Sequence, residues 1–282
     1  MEFQRYMNVD RFKADVFDIL IDDEVCNNLP LGIIDGNRDT SANWLLSTVT
    51  DDQGAIILIA MCTPPFNLLL VEPKGAPQNN SASIELFAAE LKKIGFLPSG
   101  VFSKSDLARR FADVYSGTKG SNLKAKLVLM KLDKFAEYRE APGYCRVLTE
   151  EDLSFTPSWE HSFCIECNLL VYTQKENEDR IKSRLGKDNH LIWVDGEPVS
   201  QAVCGRNTPN GAVVSWVYTP PQFRGRGYAL SVVAEVSKTI FNRGKQFCCL
   251  FADTANPASQ AVYRKLGYRD ICVFDEIRFD MK

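Results

Sequence analysis

Residues 213–229 constrain the fold of this chain more than any other segment. An apolar run ends at Thr219, two prolines stop it, and Gly225 and Gly227 precede residues whose apolar positions recur at helical spacing. A helix N-terminus presents unpaired N–H groups and a partial positive charge, so glycines at its entry let an anion approach the backbone. The pattern predicts a strand, a turn and a helix that can together bind a phosphate group.

The spacing of these glycines excludes two common phosphate-binding motifs. A dinucleotide fingerprint needs a third small residue where Leu230 stands, and a P-loop needs Gly-Lys followed by Ser or Thr. Basic residues are concentrated in residues 222–245, although the chain as a whole has a formal net charge of −3. A Gly-x-Gly is often only structural, and the basic residues can form a solvated helix face. The glycines alone therefore leave both interpretations open.

A second pattern follows at residues 256–268, after an apolar run that predicts a strand at residues 246–252. Asn256 suits a helix N-cap, Pro257 suits the first helical position, and Gly267 suits the residue after the helix. In order and spacing, this segment and the loop at residues 222–227 resemble the two cofactor-binding motifs of the GCN5-related N-acetyltransferase (GNAT) superfamily. The resemblance covers about residues 144–282.

The resemblance implies an acyl-CoA N-acyltransferase fold, which is an α/β (α+β) fold with a mixed, mostly antiparallel sheet flanked by helices. It implies acetyl-CoA as co-substrate, without a metal ion. The end of the first strand would pair with the pantetheine arm, the amides of residues 224–229 would hold the pyrophosphate, and the second motif would bind the pantetheine or phosphate portion. The implied cofactor-binding residues are Val217, Tyr218, Thr219, Gln222, Arg224, Gly225, Arg226, Gly227, Tyr228, Ala229, Asn256 and Ser259.

Some of these residues also have purely structural interpretations. Asn256 can be only a helix cap, and Ser259 can be only a hydroxyl on the helix surface. Tyr263 matches the family's acid tyrosine, because a phenol stays protonated at neutral pH and can donate a proton to a departing thiolate. A helical tyrosine is nevertheless often part of the core, so both interpretations of Tyr263 stay open.

The general base is not evident from the sequence. Some protein N-terminal acetyltransferases of this family have a Glu five residues before the Asn of the second motif, but Phe251 stands at that position here. This difference disfavours a protein N-terminus as the acceptor. Glu160, His161 and Glu166 are conceivable bases, acting directly or through water.

The length of 282 residues favours two domains. Turn-forming residues 139–143 separate a predicted first domain, residues 1–140, from a predicted GNAT acetyl-CoA-binding domain, residues 141–282. The first half has strands predicted at residues 55–60, 67–71 and 126–132 and helices at residues 83–94 and 105–115. Because residues 72–80 contain neither Gly-x-Gly nor a basic cluster, the first domain resembles the degenerate domain of tandem acetyltransferases.

Composition excludes further classes of protein. The negative charge argues against a nucleic-acid binder, and no apolar run is long enough for a membrane span or signal peptide, so we expect a cytoplasmic protein. Nine cysteines fit reduced thiols. Cys164 and Cys167 have the spacing of half a zinc site, but they lie in a predicted amphipathic helix at residues 158–172 and are interpreted as structural. Cys248 and Cys249 are expected in a strand core.

The predicted function is transfer of an acetyl group from acetyl-CoA to a primary amine of a small molecule or peptide, by direct attack on the thioester. Two alternatives stay open. One is a catalytically idle acyl-CoA-binding regulatory protein, and the other is a glycine N-acyltransferase-like enzyme that uses a longer acyl-CoA.

Overall fold

The computed structural model describes residues 1–36, 43–77, 81–117 and 120–280. The chain forms two compact units, of which the first comprises Met1–Leu129 with Ile271–Lys282 and the second comprises Met130–Asp270. The predicted boundary at residues 140 and 141 therefore lies inside the second unit, and the C-terminal segment belongs to the first unit. The assignment of a degenerate first domain and a catalytic second domain stays a prediction.

The first unit is a mixed sheet with helices on both faces. Its strands lie in the order β1-β2-β3-β4-β5-β12-β6. The β4 and β5 pair is parallel. The pairs β1 with β2, β2 with β3, β3 with β4 and β5 with β12 are antiparallel. The strands are β1 (Glu2–Arg5), β2 (Leu45–Thr50), β3 (Ile56–Cys62), β4 (Leu68–Val71), β5 (Gly100–Lys104), β6 (Ser121–Leu132) and β12 (Arg269–Phe279).

Successive side chains of a strand point to opposite faces of the sheet, so this unit has one hydrophobic core on each face. Leu45 packs with the helices α3 (Ser81–Lys93) and α4 (Ser105–Ser116). Its neighbour Leu46 packs with α1 (Val9–Ile21) and α2 (Asn28–Gly36) on the other face.

The second unit repeats this mixed pattern, with strands in the order β11-β10-β9-β8-β7. Only the β10 and β11 pair is parallel, and the other pairs are antiparallel. The strands are β7 (Tyr144–Val147), β8 (His190–Asp195), β9 (Glu197–Asn207), β10 (Gly211–Tyr218) and β11 (Phe247–Asp253). The helices are α5 (Thr156–Glu166), α6 (Gln174–Lys182), α7 (Tyr228–Asn242) and α8 (Pro257–Leu266). The predicted fold class, a mixed sheet of mostly antiparallel strands flanked by helices, is confirmed.

Most predicted elements of the first half are present within a few residues, but periodicity missed the short strands β1, β2 and β5 and the final strand β12. Residues 78–80 of the loop at residues 72–80, which is predicted not to bind the cofactor, lie outside the described residues. Within the described ranges, no helix is both long and apolar enough to cross a membrane.

The predicted helix at residues 158–172 is too long, because α5 ends at Glu166. Asn168 adopts a left-handed conformation with φ +50°, and the amide of Leu169 donates to the carbonyl of Cys164, 2.8 Å away. These are the features of a Schellman motif, which terminates a helix. Leu169, Leu170 and Val171 form an apolar run after the helix, and all three side chains are exposed.

Candidate functional site

The centre of the candidate site is the place where β10 and β11 separate. The two strands pair in parallel only from Gly211 with Phe247 to Val213 with Cys249. Beyond these residues both strands continue without pairing to each other, β10 to Tyr218 and β11 to Asp253. The separation leaves an opening between two neighbouring parallel strands at their carboxyl ends, where open α/β sheets usually bind ligands.

A bulge in β10 lies at this opening. Between Ser215 and Tyr218 the register with β9 shifts, and Trp216 has a φ of +53°. A non-glycine residue in this conformation is strained and persists only where the surroundings hold it. The Trp216 ring lies 4.8 Å from the guanidinium of Arg180 and 5.2 Å from the ring of Phe163. These contacts hold the bulge, and no local sequence pattern indicates them, because Arg180 and Phe163 are distant from Trp216 in the sequence.

The loop between β10 and α7 contains the two predicted glycines, each in the left-handed region. Gly225 has φ +79° and Gly227, the N-cap of α7, has φ +86°. A Cβ atom at Gly225 would meet nothing within 4 Å, and one at Gly227 would meet only Ala141 Cβ at 3.6 Å. Within the protein, the glycines are therefore required by the backbone conformation rather than by a close neighbour.

Five consecutive amides of this loop, from Gly225 to Ala229, donate to no acceptor among the described residues. The amide of Arg224 differs from the prediction in this respect, because it donates to the carbonyl of Pro221 at 3.3 Å. Five unengaged amides at a helix N-terminus form a site suited to an anion such as pyrophosphate.

Arg224 has a structural partner in α5. Its Nη2 atom lies 2.8 and 2.7 Å from the two carboxylate oxygens of Glu166, and its Nε donates to the carbonyl of Thr219 at 2.8 Å. This arrangement ties the loop to the end of β10 and to α5, so the Arg224 guanidinium is not free for a ligand. The Arg226 side chain is exposed.

The strand segment predicted to pair with pantetheine is partly engaged. The carbonyl of Tyr218 accepts from Ser200 Oγ at 3.1 Å, and the carbonyl of Thr219 accepts from Arg224. Val217 is half-buried beside the bulge. An added strand could therefore use only the remaining backbone groups of this segment.

The remaining predicted cofactor residues lie at the starts of the loop and of helices α7 and α8. Gln222 is exposed and Ala229 is half-buried. Tyr228 is buried, and its hydroxyl donates a hydrogen bond to the Asp195 carboxylate. Asn256 Oδ1 accepts from the amide of Ser259 at 3.1 Å, and Ser259 Oγ donates to the Asn256 carbonyl at 2.9 Å. Asn256 is therefore a helix cap whose side chain is also exposed, and capping does not exclude binding through its amide nitrogen.

Tyr263 is buried in α8, with 8% of its surface exposed. Its ring lies 6.0 Å from that of Tyr268, and its hydroxyl forms no hydrogen bond with any described residue. Burial, with a smaller contribution from Cys167, raises the pKa of Tyr263 well above its usual value. The phenol is therefore protonated at neutral pH, as a proton donor must be.

The three conceivable bases have different surroundings. Glu160 is fully buried and forms an ion pair with Arg184, and burial raises the pKa of its carboxyl. The Glu166 carboxylate forms an ion pair with Arg224, and the His161 side chain is exposed. Both glutamates are ion-paired, and the Oε2 atom of Glu160, which has no hydrogen-bond partner among the described residues, is buried.

The thiols singled out in the sequence occupy core or surface positions. Cys164, Cys248 and Cys249 are buried, and Cys167 is exposed. The described residues contain no cluster of three or more potential metal ligands.

Comparison with known proteins places this geometry in a family context. Residues 194–278, which contain the loop, β11 and α8, match the family model described as FR47-like protein. No curated protein sequence matches the chain significantly. Among solved structures, a GCN5-related N-acetyltransferase from Sphaerobacter thermophilus matches with a TM-score of 0.67 at 15% identity, covering 100% of this chain and 96% of that chain.

The chain has the fold of the GCN5-related N-acetyltransferases. A GNAT-family acetyltransferase from Colwellia psychrerythraea matches with a TM-score of 0.60 at 11% identity, covering 100% of both chains. A tandem GNAT protein from the clavulanic acid biosynthesis pathway matches with a TM-score of 0.59 at 13% identity, covering 100% of this chain and 99% of that chain. The predicted resemblance to the GNAT superfamily is confirmed.

Proposed function

We propose that the protein is an acyl-CoA-dependent N-acyltransferase that moves an acetyl group from acetyl-CoA to a primary amine of a small molecule or peptide. The observation that supports this most directly is that the opening between β10 and β11 lies next to the five unengaged amides of residues 225–229. A ligand with an extended arm and a pyrophosphate matches this combination of an unpaired strand edge and an anion site.

The charge around the loop supports the same ligand. A depression of about 470 Å³ beside Gly227 is lined by the basic residues Arg139 and Arg226 and by Glu140, whose carboxylate forms an ion pair with Lys238. Since Arg224 is engaged by Glu166, we assign to Arg226 the role of a phosphate-neutralising side chain and to Arg224 that of holding the loop. A guanidinium is well suited to phosphate oxygens.

The proposed reaction begins when a neutral amine nitrogen attacks the thioester carbonyl carbon. The C–N bond forms, the C–S bond breaks, and the thiolate of CoA leaves. Tyr263 donates its hydroxyl proton to this thiolate and then regains a proton from water. Because a thiol has a lower pKa than the buried phenol, the transfer is uphill, and the proton returned to Tyr263 completes it. The amine loses its proton to water, directly or through a side chain.

One observation supports a second candidate, a protein that binds acyl-CoA without transferring the acyl group. Phe251 occupies the position on β11 where some relatives have a glutamate, and both Glu160 and Glu166 are held in ion pairs. A third candidate differs only in the donor and uses a longer acyl-CoA.

A panel assay separates these candidates. The full chain is incubated with acetyl-CoA and longer acyl-CoAs in the presence of amines, polyamines, amino acids or aminoglycosides. Released CoA is measured by mass spectrometry, because nine cysteines interfere with thiol reagents. We expect acceptor-dependent CoA release with acetyl-CoA. Binding without release across the panel would favour the idle protein, and preference for a longer donor would favour the third candidate.

A further inference from the structure

Two cysteines that are distant in sequence lie in contact in the first unit. Cys26 lies in the turn between α1 and α2, and Cys272 lies on β12. Their Sγ atoms are 3.1 Å apart, although the residues are 246 positions apart. This distance is a non-bonded contact between two free thiols. The S–S bond of a disulfide is about 2.05 Å long, so the two sulfur atoms need to move only about 1 Å closer to form one.

Charged groups beside the two thiols distinguish them chemically. Lys104 Nζ lies 2.8 Å from the Asp23 carboxylate, and both groups adjoin the thiols. The hydrogen bond from Cys26 and the positive charge of Lys104 lower the pKa of Cys272, against the opposing effects of burial and Asp23. Sharing that hydrogen bond, together with burial, raises the pKa of Cys26. Cys272 is also the more exposed of the two thiols, since Cys26 is buried, and it is thus the better-placed nucleophile.

A small molecule can reach this pair. Cys272 is half-exposed and is reached from the protein surface, whereas Cys26 lines a cavity of about 160 Å³ together with Asp23 and Lys104. The cavity exceeds the roughly 30 Å³ that one water occupies in the liquid, so a molecule of the size of hydrogen peroxide fits.

We propose that Cys26 and Cys272 form a redox-active dithiol that a peroxide converts to a disulfide. The Cys272 thiolate attacks one peroxide oxygen, an S–O bond forms, the O–O bond breaks, and hydroxide leaves. The Cys26 sulfur then attacks the sulfenic sulfur of Cys272, forming the S–S bond and releasing the second oxygen as water with the Cys26 proton. Two thiols lose two electrons in total, and one peroxide is reduced to two water molecules.

The test uses the full chain at low concentration, treated with one to five equivalents of hydrogen peroxide. Remaining thiols are alkylated in denaturant, and the protein is digested and analysed by mass spectrometry. We expect a linked peptide pair containing Cys26 and Cys272, lighter by two hydrogens than the two free peptides, which disappears when a dithiol reductant is added before alkylation. Non-reducing electrophoresis should show a single chain.

Cys167 provides the internal control for simple accessibility. It is exposed, but desolvation of its sulfur and the nearby Glu166 raise its pKa to about 11. Under the proposal, the linked pair forms at a peroxide dose that leaves Cys167 open to alkylation. Oxidation of Cys167 before the pair would instead indicate reaction governed by exposure alone and would overturn the proposal.

Variants complete the experiment. Cys26→Ser should leave Cys272 as a sulfenic acid that dimedone traps, whereas Cys62→Ser should leave the linkage unchanged. In the wild type, alkylation of both Cys26 and Cys272 after peroxide treatment, an intermolecular link, or Cys272 driven to sulfinic acid without a linked peptide would each refute the assignment. These wild-type outcomes do not depend on whether a variant folds.

Discussion

The two units contain the same arrangement of a parallel strand pair next to helices, yet they differ at the place where the pair opens. In the first unit β4 and β5 pair only at Leu68 with Val101 and Leu69 with Phe102. Beyond that point lies the cavity of about 160 Å³, where Lys104 is neutralised by Asp23. In the second unit the opening adjoins five unengaged amides and an exposed arginine.

Under the proposed function, this difference means that separated parallel strands do not by themselves make a cofactor site. An anion site also needs backbone amides without internal acceptors and positive charge that is not already paired. On this basis we expect one acetyl-CoA per chain in isothermal titration calorimetry. Two equivalent sites would contradict the proposed difference between the units.

The largest effect is expected for Gly227→Glu. Placing a carboxylate where the pyrophosphate is proposed to bind should weaken CoA affinity by more than about 100-fold, since opposed like charges cost several kcal/mol. Gly75→Glu in the first unit is a matched control, because Gly75 and Gly227 have the same φ of +86° and a Cβ atom at Gly75 would meet nothing within 4 Å. Calorimetry should show normal affinity for Gly75→Glu. Equal losses in both variants would attribute the effect to backbone strain.

Tyr263→Phe should lower turnover by about ten- to a thousandfold while leaving acetyl-CoA affinity nearly unchanged, because it removes the proton donor and keeps the ring. Tyr115→Phe in α4 is the control from the first unit, where the ring packs on Phe111 and Phe279. That variant should turn over at the wild-type rate. A Tyr263→Phe enzyme as fast as the wild type would leave Tyr263 with a packing role alone.

A smaller effect concerns acid stability, because both histidines lie in the second unit. Burial lowers the pKa of His190 to about 3, with a minor contribution from Arg184. The unfolded chain binds a proton there below about pH 6.5 and the folded chain does not, so stability is lost as pH falls from about 6.5 towards 3.

Between pH 7 and pH 5, protonation of His190 in the unfolded chain lowers the free energy of unfolding by about 2 kcal/mol. Three of the four tryptophans, Trp159, Trp193 and Trp216, lie in the second unit, so denaturant unfolding followed by tryptophan fluorescence measures mainly that unit. His190→Gln should flatten the pH dependence, whereas the exposed His161→Gln should keep it. An unchanged dependence in His190→Gln would rule out this origin.

The smallest effect is expected for Glu166→Gln, which removes the charge that holds Arg224. A well-formed surface ion pair contributes about 0.5–1 kcal/mol, so CoA affinity should fall about two- to fivefold as the loop loosens. Asp106→Asn, which weakens an exposed ion pair with Arg110 in the first unit, should not change CoA affinity. A tighter-binding Glu166→Gln variant would mean that Arg224 itself reaches the phosphates once released.

Local backbone requirements explain why the two motifs were recognisable in the sequence. Gly225, Gly227 and Gly267 all adopt positive φ, and Asn256 caps α8 through the amide of Ser259. Each of these features depends on residues within a few positions of one another. The helix was predicted to extend past Glu166 because the apolar run Leu169, Leu170 and Val171 follows it in the sequence, although all three side chains are exposed.

The sequence by itself determined the fold class, the glycine loop with its following helix, and the capped helix that contains Tyr263. Only the tertiary structure decided that β12 joins the first unit, that Glu166 engages Arg224 from 58 residues away, and that Cys26 meets Cys272. Turns and caps are encoded by neighbouring residues, whose conformational preferences act locally. Strand partners and side-chain contacts between distant residues depend on which surfaces the chain buries together, and no short segment contains that information.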